Sequence, residues 1–131
     1  IRRIYRKENP VVIWGDGSAI RDFAFSDDVA DGVINTLIYG TGKYDFLNLG
    51  GGRGYKIKDL VKALRSFLNF NYKFDSSKNS GWPKRVMSIK NSNKIIKFNP
   101  KTSLTEGLQK TWDWYITNSK EFVKRKNYLS E

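Results

Sequence analysis

Short apolar runs closed by glycine or proline alternate along this chain with longer stretches whose apolar residues recur at helical spacing. That alternation calls for an α/β fold, strands packed against helices. After Pro10, Val11-Val12-Ile13-Trp14 is β-branched and stops at Gly15-Asp16-Gly17, which predicts a short buried strand. Residues 21–25, alternating polar and aromatic, predict a second. Ser26 reads as a helix cap, with Asp27 and Asp28 where the helix dipole favours carboxylates. The stripe Val29, Val33, Ile34, Leu37 and Ile38 predicts a helix over 27–38, ended by Gly40 and Gly42. Residues 45–49 and 71–75 read as strands, and 91–96 as a short helix. Ile57, Leu60, Val61, Leu64, Phe67 and Leu68 predict a helix over 57–68. Ser103 and Glu106 form a capping box that opens a helix over 104–116. Residues 1–9 read as the end of a helix begun upstream, 76–85 as a polar loop, and the charged tail from Ser119 as a fraying end. The whole of 1–131 reads as one domain.

Composition removes several chemistries. The chain has no Cys and no His. Thiol nucleophiles, disulfide frameworks, imidazole bases and the usual zinc ligand sets are therefore excluded. No apolar run approaches the roughly 20 residues that span a bilayer, so no membrane partner is expected. Lysine and arginine number 24 against 13 acids, a net charge of +11 that favours an anionic partner. The chain opens on Ile1 rather than Met, so it is expected to be a piece of a longer protein. Nothing directs it away from the cytoplasm.

Three spacings imitate catalytic motifs. Gly50, Gly52 and Gly54 precede a predicted helix, but their spacing departs from the dinucleotide fingerprint, and a flexible turn is the better reading. Tyr39 and Lys43 are four apart, yet Gly40 and Gly42 lie between them and break the helix that would align them. Asp27 and Asp28 are adjacent, so they do not share a helix face, and capping accounts for them. Arg21 carries more. Its planar donor fork suits phosphate, and Trp14, seven residues earlier, offers a face for a nucleobase; an ion pair with Asp22 and a core indole are the plainer alternatives. Lys84 and Arg85, after Pro83, read either as anion contacts or as solvated charge.

Four segments in order resemble the extended short-chain dehydrogenase/reductases, the NAD-dependent epimerases and dehydratases of nucleotide sugars. They are residues 12–31 (VIWGDGSAIRDFAFSDDVAD), 46–60 (FLNLGGGRGYKIKDL), 75–85 (DSSKNSGWPKR) and 103–115 (SLTEGLQKTWDWY). The resemblance implies a small mixed α/β substrate-binding domain from the carboxy-terminal part of such an enzyme, without its Rossmann cofactor domain. It implies that Arg3 and Arg21 reach a diphosphate, that Trp14 lies at the nucleotide, and that Arg85, flanked by Lys84, contacts the nucleotide. Ser26, Lys56, Asn79, Ser80 and Trp82 depart from the family's usual residues. The glycine-rich cofactor turn and the catalytic Tyr/Lys pair of the family's amino-terminal half are not in this sequence. The resemblance thus implies a homodimeric parent holding NAD or NADP, a nucleotide-diphosphate sugar as ligand, and no catalytic, cofactor or metal residue in 1–131. It also implies that 45–49 extends the sheet of the missing domain. A competing class, a basic nucleic-acid-binding module, fits the charge and the four Trp, seven Tyr and eight Phe. The lysines and arginines are spread along the chain, however, and no nucleic-acid signature accompanies them.

Overall fold

Among the described residues, two small sheets and three principal helices form a mixed α/β fold, as the alternation requires. The computed structural model describes residues 1–124, with side chains through Ser119. The elements run α1 (Arg2–Tyr5), β1 (Val11–Trp14), β2 (Ile20–Asp22), α2 (Ser26–Tyr39), β3 (Gly54–Lys56), α3 (Ile57–Arg65), β4 (Tyr72–Asp75), β5 (Lys84–Arg85), α4 (Lys90–Ile96) and α5 (Leu104–Lys124). Strand β1 pairs in parallel with β4, from Val11 opposite Tyr72 to Trp14 opposite Asp75. The second sheet has the order β3-β2-β5, with β3 antiparallel and β5 parallel to β2.

The amphipathic stripe of α3 buries Val61 and Leu64, and α3 packs on α5. Its first turn is closed from outside: the Lys58 N–H donates to the Gly17 carbonyl and the Ile57 N–H to the Ala19 carbonyl, each at 3.0 Å. Asp59 accepts from the Lys56 N–H, so donors orphaned at the helix start find partners. Helix α1 is clasped to α5 by Tyr5, whose ring stands edge-on to Trp112 and Tyr115 and whose hydroxyl pairs with Ser119 Oγ at 2.9 Å. Helix α2 packs on α4, and Ile96 and Phe98 lie buried beside them. Asp28 ties α2 to the approach of α5 by accepting from the Lys101 and Thr102 N–H groups.

Several expectations are corrected. Strand β2 stops at Asp22, and Phe23–Phe25 are not paired in the sheet. Ser26 is the first helical residue rather than the cap; Phe25 occupies that position, and the Ser26 hydroxyl donates to Asp27. Helix α3 ends at Arg65, three residues short of the predicted 68, while α5 runs on to Lys124 where the tail from Ser119 is expected to fray. Residues 125–131 of that tail lie outside the described residues. The loop 76–85 contains a strand at its end, β5. Residues 45–49 form no strand, because among the described residues no strand offers them a ladder. The stripe of α2 is largely uncovered: Val33, Ile34, Leu37 and Ile38 are exposed, Leu37 at 83%, with Phe46 at 78% beyond the helix end. Among the described residues, no helix is long and apolar enough to cross a membrane.

Where α2 does meet the core, it does so through Gly32. An alanine Cβ there would lie 2.7 Å from the Phe98 ring and 2.9 Å from Leu49. Phe98 is 2% exposed, so it has little room to retreat. Gly32→Ala is expected to destabilise by about 1–2 kcal/mol in urea denaturation, overpacking outweighing the helix-propensity gain of about 1 kcal/mol.

Candidate functional site

Successive residues of a strand face opposite sides of the sheet, and in β2 the two sides do different work. Asp22 faces the glycine segment. Its carboxylate accepts from the N–H groups of Gly51 at 2.7 Å, Gly52 at 3.2 Å and Met87 at 3.1 Å. The glycine turn is thereby spoken for. Two of its amides, which a bound pyrophosphate would need, already serve a carboxylate, and the turn leads into β3 before any helix begins. The residues present do not fit a dinucleotide. Tyr39 is the last residue of α2 and Lys43 lies beyond it, so the pair does not share a helical turn.

Arg21 faces the other side. It is the register partner of Tyr55 on β3 and of Arg85 on β5, so these three share one face, while Lys84 pairs with Ile20 on the opposite one. Only Arg85 of the Lys84-Arg85 pair therefore stands beside Arg21. The Arg21 guanidinium is half engaged. Nη1 donates to the carbonyls of Ile20 at 2.8 Å and Trp82 at 2.7 Å, and Nη2 to the Ser80 carbonyl at 2.8 Å. Of its five N–H donors, that leaves Nε–H and one on Nη2 without a protein acceptor among the described residues. Ser80 also packs on Gly15, which follows Trp14. Gly15 has φ +82°, and any Cβ there would lie 2.5 Å from Ser80 Cβ. The loop thus links Arg21 to the end of β1.

Trp14 is 62% exposed and lines a cleft of about 420 Å³ between α1, β1 and α3. Arg3 lines the same cleft, and Ile57, Leu60, Val61 and Phe70 make its apolar wall. Arg3 is held there by donating Nη1 to the Val12 carbonyl at 2.7 Å, with Glu8 3.5 Å from its Nε. The structure thus gathers the candidate residues in two groups, Arg3 with Trp14 in the cleft and Arg21 with Arg85 on the sheet. Sequence reasoning missed the amides that Asp22 gathers, its only signal being its place after Arg21, and the Trp82 carbonyl that Arg21 holds, Trp82 being noted only as a departure.

Two carboxylates mark the ends of the β1–β4 pair. The Ser18 hydroxyl and N–H donate to Asp16, and those of Ser77 to Asp75, holding both carboxyls below the usual carboxylate range. A lowered folded-state value stabilises the fold above the unfolded value and is lost as pH falls through the folded one. Melting temperature should accordingly fall below about pH 4, and Ser18→Ala with Ser77→Ala should flatten part of that fall. Asp22→Ala should cost about 1.5–3 kcal/mol in denaturant unfolding, since three amides lose a charged acceptor. Asp22→Asn, which keeps one carbonyl oxygen, should cost less.

Comparison with known proteins bears on the family and the fold. The profile of the NAD dependent epimerase/dehydratase family matches residues 1–50. A probable GDP-L-fucose synthase 1 of Oryza sativa subsp. japonica is 38% identical over 112 residues, covering 82% of this chain and 33% of that relative. The chain spans about a third of the length of the curated relatives it matches. A UDP-glucose 4-epimerase from Thermotoga maritima, solved with UDP-glucose, is 28% identical with a TM-score of 0.69 over 89% of this chain and 38% of that one. The fold also matches a UDP-glucuronic acid 4-epimerase from Bacillus cereus, solved with UDP-glucuronic acid and NAD. That match has 24% identity and a TM-score of 0.76, over 88% of this chain and 38% of that one.

Proposed function

Because this chain belongs with the NAD dependent epimerase/dehydratase family, we propose that residues 1–131 are the nucleotide-sugar-binding part of a longer NAD(P)-dependent epimerase, dehydratase or epimerase-reductase, similar to GDP-L-fucose synthase. The observation that carries this reading is the strand register of Arg21 beside Arg85, with Arg21 holding a loop that also touches the residue following Trp14. A nucleotide sugar brings two phosphate charges and a flat base. Arg21 retains Nε–H and one Nη2 donor for a phosphate oxygen, and Arg85 is exposed beside it. Arg3 and the Trp14 ring give the base an apolar cleft with a cation at its rim. Lys84, on the opposite face, acts through its field rather than by contact.

Hydride transfer belongs in this reading to the cofactor domain of the parent, because the glycine turn here is closed by Asp22. NAD or NADP, held by that domain, would take a hydride from the sugar or return one to it. The residues of this chain bind and orient the sugar nucleotide. The uncovered face of α2 and the unpaired segment 45–49 are the surface against which that domain packs, which accounts for an apolar stripe left in water.

In the full-length parent, Arg21→Ala should weaken nucleotide-sugar binding by roughly 10- to 150-fold, measured by calorimetry. Arg21→Lys should recover only part of it, since an ammonium cannot both hold the loop carbonyls and offer a fork. Unchanged affinity in Arg21→Ala would leave the arginine a loop clamp and nothing more.

A further inference from the structure

Trp82 is 68% exposed, yet the backbone around it is held at several points. The Asn79 side chain accepts from the Gly81 N–H at 2.7 Å, and the Ser80 and Trp82 carbonyls accept from Arg21. The Pro83 carbonyl accepts from the Ile20 N–H at 2.8 Å, and Ser80 rests on Gly15. Gly81 takes φ +72°, the turn that lets Ser80 and Trp82 both present carbonyls to one guanidinium. Burial is the ordinary fate of an indole. A loop free to choose would lay this ring on the surface; a loop pinned on both sides of the ring displays it. The Trp82 carbonyl, 2.7 Å from Arg21 Nη1, sets this residue beside the guanidinium whose remaining donors suit a phosphate.

We propose that Trp82 is a ligand-contacting residue, an aromatic wall that stacks on a ring of a nucleoside-diphosphate sugar whose phosphate rests on Arg21. The inference rests on the nucleotide-sugar reading above and adds a residue that the family resemblance did not supply. An indole standing beside a held phosphate offers its flat face to whichever ring adjoins that phosphate, and stacking excludes water from the charge-assisted contact. Trp82 thereby becomes a determinant of affinity, distinct from Trp14 in the cleft.

The test uses the full-length parent with GDP-L-fucose and UDP-glucose as probes, taking forward whichever the wild type binds. Trp82→Ala, whose lost ring is exposed and therefore not needed for folding, should weaken binding about 5- to 100-fold. Trp82→Phe should stay within a few-fold of wild type, and its tryptophan fluorescence should be quenched less on saturation than that of the wild type. Equal affinity of wild type and Trp82→Ala, with matching melting curves, would overturn the assignment while leaving the nucleotide-sugar reading standing. A wild type that binds neither probe would overturn both, so the two failures are told apart by the control.

Discussion

Asp22 is the fixed point on which the arrangement of this molecule depends. A single carboxylate gathers backbone amides from two segments far apart in sequence, Gly51 and Gly52 on one side and Met87 on the other. It joins the glycine segment before β3 to the chain leaving β5, two segments that also meet through Gly50 against Met87 and Gly52 against Ile89. Hydrogen bonds to a charged acceptor are roughly twice as strong as neutral ones, and three converge here. Arg21, its neighbour, performs the reciprocal task with carbonyls. One residue collects donors and the next collects acceptors, from opposite faces of a strand only three residues long.

Much of the fold is legible in the sequence because periodicity and capping act locally. The β-branched run at Val11–Trp14, the stripe that buries Val61 and Leu64, and Ser103, whose hydroxyl accepts from the Glu106 N–H, all behave as those rules require. The failures share a different origin. A strand is a property of two segments, and residues 45–49 have the composition of one without a neighbour to complete it. Phe23–Phe25 likewise alternate as a strand should, but β3 and β5 do not extend far enough to pair with them. For α2, periodicity reports which face is apolar and says nothing of whether a partner is present to cover it.

The candidate site divides in the same way. Residue chemistry singles out Arg21 and Trp14 from the sequence, while Arg3 and the role of Arg85 enter only through the family resemblance. Their grouping is not legible there, because it depends on register. Lys84 and Arg85 are equivalent as text, yet strand alternation sends them to opposite faces, and only pairing with β2 decides which one joins Arg21. Nor does the sequence reveal that two loop carbonyls and that of Ile20 would claim three of the five Arg21 donors, since any backbone oxygen is an acceptor and composition does not record which one comes near.

That claim on Arg21 has an energetic consequence for recognition. A free arginine side chain carries close to 2 kcal/mol of rotameric entropy, and a ligand that immobilises it must overcome that loss before any attraction counts. Here the Ile20, Ser80 and Trp82 carbonyls fix the guanidinium while the chain folds, so its disorder is spent before a ligand arrives. The donors left over are already aimed. On the proposed reading, preorganisation of this kind would let a small, largely open surface discriminate among anions by the geometry of their oxygens rather than by how tightly it can close around them.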